Sequence, residues 1–115
     1  MRNDKLSELS MDFSIDIIEL VKEVKIQRES VISNQIGRSG TSIGANIREA
    51  HYAHGKADFI SKLQIALKEA NETQYWLELL YESEFITKDE FDSLYKDTNE
   101  LIALLTTSIK TTQNK

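Results

Sequence analysis

Residues 31–54, VISNQIGRSGTSIGANIREAHYAH, repeat apolar or small side chains at steps of three and four. The members of this series are Ile32, Ile36, Ser39, Ile43, Ile47, Ala50 and His54. This spacing places them on one face of an α-helix, with polar residues on the other face. We therefore predict an amphipathic helix over about 29–54, with Gly55 just beyond its C-cap.

The same periodicity occurs in three further segments. It predicts helices over about 4–26, 57–83 and 88–111. The start of the last helix is the best marked, because Thr87 and Glu90 have the N-cap and N3 spacing of a capping box. Four long helices joined by short connections favour antiparallel neighbours. We predict an all-α fold, an up-down-up-down four-helix bundle that forms one domain over 1–115.

The composition supports this fold and excludes several classes of protein. The chain has 115 residues, four Gly, no Pro and no Cys. An all-β fold would need more turn residues, and a disulfide framework, a cysteine zinc site or a thiol nucleophile needs Cys. No run of 18 apolar residues occurs, and the N-terminus has no signal-peptide pattern. We expect a cytoplasmic protein with no membrane partner.

Charge is distributed unevenly along the chain, whose net charge is -5. Residues 30–68 carry five basic and two acidic side chains, whereas residues 69–115 carry four basic and ten acidic ones. The five cations, which we call the basic band, are Arg38, Arg48, Lys56, Lys62 and Lys68. Clustered cations on one helical surface suit contact with nucleic-acid phosphates. Arg38, Arg48, Lys56 and Lys62 are the predicted nucleic-acid-binding residues.

Three of the four glycines, Gly37, Gly40 and Gly44, form a stripe on the second predicted helix. Glycine inside a helix costs roughly 1 kcal/mol relative to Ala, so we expect close helix packing to offset that cost, within the chain or between subunits. A broken helix is the alternative. Asn46 beside the stripe and Trp76 on the third helix are further predicted packing residues.

Few residues suggest catalysis or metal binding. His51 and His54 near Glu49 lack the Glu and His spacing of a bundle di-iron site. Glutamates of the third helix, such as Glu69 and Glu72, are typical of a solvated face rather than an acid and base pair. We predict no catalytic residue, no metal and no cofactor.

Two segments resemble a known family. They are QIGRSGTSIGANIREA, residues 35–50, and KEANETQYWLELL, residues 68–80. The most specific positions are Ser42, Ile43, Ala45, Asn46, Ile47 and Glu49. They resemble the bacterial 23S rRNA intervening-sequence proteins over about residues 35–82. That resemblance implies a four-helix bundle that forms a homo-oligomer, typically a pentamer, binds RNA or DNA and is not an enzyme.

A related accessory protein of diversity-generating retroelements looks similar and works with a reverse transcriptase and its template RNA. This chain lacks some basic residues of other members, because Gly37 replaces an Arg before Arg38 and no Arg lies near His54. Gly44 stands where such members carry Pro. Two hypotheses follow: a homo-oligomer that binds RNA or DNA through the basic band, or a protein-interaction adaptor. A metal-dependent bundle enzyme is a third.

Overall fold

The computed structural model describes residues 4–115, which form four α-helices. Helix α1 spans Lys5–Ile26, α2 Val31–His51, α3 Lys56–Glu82 and α4 Lys88–Gln113. The molecule is an elongated body of 47 × 21 × 20 Å. These helices confirm the all-α bundle. The first three residues of the predicted domain over 1–115 lie outside the described part.

Contacts between neighbouring helices establish their antiparallel order. Along α2, Gly37 lies opposite Val21 and Gly44 lies opposite Ser10. Residue numbers therefore increase along α2 in the direction in which they decrease along α1. Between α2 and α3, Arg38 pairs with Glu69, whereas Glu49 pairs with Lys62 further up α2. Between α3 and α4, Tyr81 stacks on Phe91 and Glu78 accepts from the Tyr95 hydroxyl. Each helix therefore runs opposite to the one before it.

Helix α2 begins two residues later than the predicted start at 29. The carboxylate of Glu29 accepts hydrogen bonds from the backbone N–H groups of Val31, Ile32 and Ser33, at 3.2, 2.6 and 3.2 Å. Glu29 therefore satisfies the free donors of the first turn from outside the helix, as an N-terminal acid does.

The C-terminus of α2 also differs from the prediction. The helix ends at His51 with Tyr52 as C-cap, so the predicted end at residue 54 is three residues too late. Gly55 is the N-cap of α3, with φ of 151°, a conformation that L side chains rarely adopt. The glycine thus marks the start of α3 rather than the end of α2.

The capping box at the start of α4 is confirmed. The Thr87 side chain accepts from the Glu90 N–H at 3.1 Å, and the Thr87 N–H donates to the Glu90 carboxylate at 2.9 Å. Helices α1 and α3 end in Schellman-type turns, in which a residue other than glycine takes the left-handed position. These residues are Arg28, with φ of 66°, and Glu84, with φ of 64°.

The core runs along the bundle axis and consists mostly of Ile and Leu from all four helices. A polar layer crosses its middle. Thr73 of α3 is fully buried and hydrogen-bonds to Ser39 of α2 at 2.9 Å. On the other side of α3, Gln74 donates to Thr98 and Asn99 of α4, both at 2.8 Å. Within residues 4–115, no buried side-chain nitrogen or oxygen lacks a hydrogen-bond partner.

The glycine stripe of α2 lies against α1. A Cβ added at Gly40 would be 2.9 and 3.0 Å from two carbons of the buried Ile17 side chain. At Gly37 the nearest atom would be Val21 Cγ2 at 3.4 Å, and at Gly44 it would be Ser10 Oγ at 3.4 Å. The helix is continuous through all three glycines, so the stripe serves close approach within the chain.

No helix in residues 4–115 combines the length and apolarity needed to span a membrane.

Candidate interaction surfaces

Arg38 stands at the exposed α2 and α3 border and is held between two carboxylates. Its Nη1 lies 3.0 Å from Glu69 Oε2, and its Nη2 contacts Glu72 Oε2. The Glu69 side chain is only 13% exposed, so this ion pair is partly shielded from water. Two carboxylates around one guanidinium leave this position with a local charge of about -1, and a phosphate would have to displace them.

Glu72 also fixes the neighbouring aromatic pair. Its Oε2 accepts a hydrogen bond from Trp76 Nε1 at 3.0 Å. Tyr75 packs edge-on against Trp76, with ring centroids 4.9 Å apart, and remains 57% exposed. An ordered Arg, Trp and Tyr at one surface is the composition that protein interfaces favour at their most important positions.

Arg48, Lys56 and Lys62 do not form one patch with Arg38. Lys62 lies 3.3 Å from the Glu49 carboxylate, and Lys56 Nζ lies 3.4 Å from the backbone oxygen of Lys115. Arg48 lines a groove on the α1 side of α2, whereas Arg38 leans to the α3 side. The ten residues between them correspond to about 15 Å along the helix. The structure therefore brings Lys62 near Glu49 and separates Arg38 from Arg48.

The groove beside Arg48 has a volume of about 440 Å³ and lies between α1 and α2. Small side chains make it, because Ser10 and Ser14 of α1 face Gly44 and Ala45 of α2. Met11 lines its outer edge.

Helix α1 carries an exposed apolar row that we call the α1 strip: Met11, Ile15 and Ile18. These side chains are 48, 54 and 44% exposed. Their steps of four and three place them on one helical stripe, which continues to Glu8 at one end and Lys22 at the other. The amphipathic pattern of α1 explains its buried face but leaves this apolar stripe in contact with solvent.

Helix α3 carries a second exposed row, the α3 strip, formed by Ile65 and Tyr75 with the half-buried Trp76 and Leu79 beside them. Lys68 lies between Ile65 and Tyr75 on the same stripe, at steps of three and seven. Within residues 4–115, α1 contacts α2 and α4 but not α3, so α1 and α3 lie diagonally across the bundle. The α1 strip and the α3 strip therefore lie on different sides of the bundle.

The predicted packing residue Asn46 acts within its own helix, since its Nδ2 donates to the Ser42 carbonyl at 2.9 Å.

His51 and His54 have different surroundings. His51 Nε2 is 3.0 Å from Ser7 Oγ and 3.2 Å from an Asp4 carboxylate oxygen, so it ties α2 to the start of α1. The His54 side chain is exposed. In the described residues, no three His, Asp or Glu side chains are grouped so that they could hold a metal.

Acidic residues line the seam between α1 and α4, the least extensive contact between neighbouring helices. A hydrogen bond with Glu90 raises the pKa of Glu23, and burial adds to this rise. Burial opposes a low pKa at Glu90, but hydrogen bonds from Thr87 and Glu23 hold that pKa below its usual value. Burial, together with the charges of Asp16 and Glu100, raises the pKa of Asp97.

Two features were missed by the sequence analysis. The pairing of Arg38 with Glu69 and Glu72 depends on the register of α2 against α3, which no local pattern encodes. The α1 strip was visible as apolar residues at 11, 15 and 18 outside the core series, and this was the signal that could have found it.

Comparison with known proteins identifies the family of this chain. The family model described as 23S rRNA-intervening sequence protein matches residues 2–107. The chain belongs to this family. A crystal structure of another member, described as a protein with unknown function from the S23 ribosomal protein family of Bacteroides thetaiotaomicron VPI-5482, is 54% identical. The alignment covers 91% of this chain and 98% of that one, with a TM-score of 0.89. No curated protein is significantly similar to the chain.

Membership in the 23S rRNA-intervening sequence protein family confirms the predicted resemblance and extends it from residues 35–82 to nearly the whole chain. The structural neighbour has the same fold over almost its full length. Its description names no activity, and neither does that of the family.

Proposed function

We propose that this member of the 23S rRNA-intervening sequence protein family is a non-enzymatic protein-interaction scaffold that assembles with copies of itself. The observation that carries the proposal is the pairing of Arg38 with Glu69 and Glu72. This pairing makes Arg38, the first cation of the basic band along the chain, part of an ordered surface that presents Tyr75 and Trp76.

The surface chemistry supports protein contacts more than phosphate contacts. Phosphate-dominated binding needs cations whose charge is not already compensated. Arg38 and Lys62 both have carboxylate partners, and the chain is acidic overall. In contrast, the α1 and α3 strips place large apolar side chains in water, which is typical of surfaces that bind protein.

A non-enzymatic role is supported by how the acidic groups are used. Glu69 and Glu72 hold Arg38, Glu29 caps α2, and Glu49 holds Lys62. These carboxylates have structural partners, which is the opposite of the paired, differently tuned groups that acid and base catalysis uses.

Binding of RNA or DNA is the second candidate; the description of the family mentions 23S rRNA but names no ligand. Assembly would repeat Arg38, Arg48, Lys56 and Lys62 around an oligomer, such as a pentamer, and would concentrate positive charge that one chain lacks. The adaptor and the nucleic-acid hypotheses thus differ in what the assembled surface contacts.

Two measurements on the full chain test the proposal. Light scattering coupled to size-exclusion chromatography gives the mass in solution, and we expect an oligomer. Fluorescence anisotropy with a labelled structured RNA, at low and near-physiological salt, compares the wild type with Arg38→Glu plus Arg48→Glu. The matched control is Lys96→Glu plus Lys110→Glu, which changes net charge equally but lies on α4, outside the basic band.

The scaffold predicts weak RNA binding that responds equally to both double variants, because only net charge then matters. RNA binding that weakens steeply with salt and is lost in the Arg38 and Arg48 variant, but not in the control, would refute it in favour of the second candidate. A chain that stays monomeric at every concentration would refute self-assembly.

A further inference from the structure

Two adjoining cavities open at the end of the bundle where α2 ends and α3 begins. The inner cavity has a volume of about 320 Å³ and is lined by residues from all four helices. The outer cavity has a volume of about 290 Å³. Ala50, His51 and Phe59 line both cavities, so the two together form one space, which we call the end cleft. None of its lining residues belongs to the α1 strip or the α3 strip.

The inner cavity is mostly apolar. Ile47 and Leu63 are almost completely buried beside it, whereas Leu6, Phe59 and Leu104 are half-buried around it. Close-packed cores contain few voids larger than one water molecule, whose share of liquid volume is about 30 Å³. An apolar cavity much larger than this suits an apolar ligand, because binding removes the apolar surface of both from water.

Small side chains keep the end cleft open. Ala50 and Ser108 line the inner cavity, and Ala53 and Gly55 line the outer cavity. Gly55 has a φ of 151°, so a larger side chain there would strain the backbone. The local sequence therefore leaves room at the point where four larger side chains would complete the core.

The outer cavity carries a cation whose charge is not compensated. Lys56 Nζ lies 3.4 Å from the backbone oxygen of Lys115 and forms no ion pair within residues 4–115. Lys5, which lines the inner cavity, differs because the Glu100 carboxylate lies 3.7 Å from it. An anion in the outer cavity would therefore pair with Lys56 without displacing another carboxylate.

The acid that lines the end cleft is already bound within the chain. Asp4 Oδ1 accepts a hydrogen bond from the Ser7 N–H at 2.7 Å, and Asp4 Oδ2 lies 3.2 Å from His51 Nε2. Asp4 lines the inner cavity, whereas Lys56 lines the outer one. This separation favours a ligand whose negative charge lies at the Lys56 end.

We propose that the end cleft binds a small amphipathic carboxylate, with its hydrocarbon chain in the inner cavity and its carboxylate beside Lys56. The chemical class is that of a medium-chain fatty acid. From Lys56 to Leu63, α3 rises by about 10 Å, roughly the length of a straight chain of about eight carbons. This binding activity goes beyond the proposed scaffold and does not depend on self-assembly.

Saturation-transfer NMR with octanoate and the full chain tests the site. We expect octanoate to bind with a dissociation constant in the millimolar range or below, since a ligand with few atoms gains limited affinity. Octanol and octylamine carry the same hydrocarbon chain without the negative charge. Both should bind more weakly than octanoate, because only the carboxylate pairs with Lys56.

Two variants examine the two halves of the end cleft. Lys56→Gln should weaken octanoate binding by roughly tenfold and leave octanol binding unchanged. Lys62→Gln is its matched control, because Lys62 lies on the same helix outside the end cleft. Leu104→Trp should abolish binding of octanoate and octanol, because the larger side chain fills the inner cavity. Ala103→Trp adds the same side chain at an exposed neighbouring position and should bind octanoate normally.

Ser108→Phe fills the inner cavity from the next turn of α4 and keeps the test decisive if Leu104→Trp does not fold, which circular dichroism reports. Wild-type protein that does not bind octanoate at millimolar concentration would overturn the proposal. Binding that persists in a folded variant with a filled inner cavity would overturn it as well. Octylamine that binds as tightly as octanoate would overturn the carboxylate assignment. The mass in solution, measured on the same samples, tests the scaffold separately.

Discussion

Gly40→Ala offers the sharpest test of how α1 and α2 pack. The new methyl group would lie 2.9 and 3.0 Å from two side-chain carbons of Ile17, distances that real Cβ atoms essentially never show. Ile17 is fully buried and cannot move into solvent. Either its side chain leaves its rotamer or α1 shifts away from α2.

The expected magnitude follows from two opposing effects. Replacing an interior helical glycine by alanine stabilises a helix by about 1 kcal/mol. Overpacking a filled core costs about 1–3 kcal/mol. Gly40→Ala should therefore lower the free energy of unfolding by up to about 2 kcal/mol, although alanine is the better helix former.

Gly37→Ala is the matched control, because it gives the same gain in helix propensity on the same helix. Its methyl group would meet only Val21 Cγ2 at 3.4 Å, a tight contact with a half-buried side chain. This variant should be neutral or more stable by up to about 1 kcal/mol, so the two variants should differ by about 1–3 kcal/mol.

Urea denaturation followed by circular dichroism measures both variants, at one fixed protein concentration since assembly adds to apparent stability. A double-mutant cycle with Ile17→Ala isolates the contact, because the penalty of Gly40→Ala should largely disappear when Ile17 is truncated. Equal stability of the two glycine variants would show that α1 and α2 are not in close contact at this point.

Three further outcomes are expected. Glu84→Gly should raise the free energy of unfolding by roughly 1 kcal/mol, because Glu84 has a left-handed backbone conformation at the end of α3. A lower free energy of unfolding in urea denaturation would contradict this. Asp97→Asn should stabilise the protein at pH 7 but not at acidic pH. The raised pKa of Asp97 means that its ionisation disfavours folding as the pH rises above the ordinary value of 3.8. Thermal unfolding against pH measures this, and a gain that grows towards low pH would refute it. Arg38→Ala should lower the free energy of unfolding by about 1 kcal/mol, because Glu69 and Glu72 then repel each other without a cation. Urea denaturation measures this, and no loss would show that the ion pair does not contribute to stability.

The fold was predictable because its signals are local. Each helix has its own apolar periodicity, and the α4 capping box lies within four residues, from Thr87 to Glu90. The ends of α2 were predicted less well because their signals are ambiguous: Glu29 caps from outside the helix, and glycine suits either end of a helix.

The candidate surfaces were less predictable because they depend on contacts between distant residues. Arg38 and Glu69 are 31 positions apart, and only the register of α2 against α3 brings them together. Charge counting along the chain therefore predicted a basic band, and the structure shows that the charge of one of its cations, Arg38, is compensated. The glycine stripe predicted close packing but could not identify α1 as the neighbour.

The polar layer formed by Ser39, Thr73, Gln74 and Thr98 also limits the alternatives available to the folding chain. If α3 slid by one turn along α2, about 5.4 Å, the aliphatic contacts would be largely replaced by similar ones. The buried hydroxyl of Ser39 would then lose its hydrogen bond with Thr73 and face hydrocarbon, at about 1–3 kcal/mol for an unsatisfied polar group. Leu and Ile make the bundle stable in many arrangements, whereas these few hydroxyl and amide groups separate the native arrangement in energy from its shifted competitors.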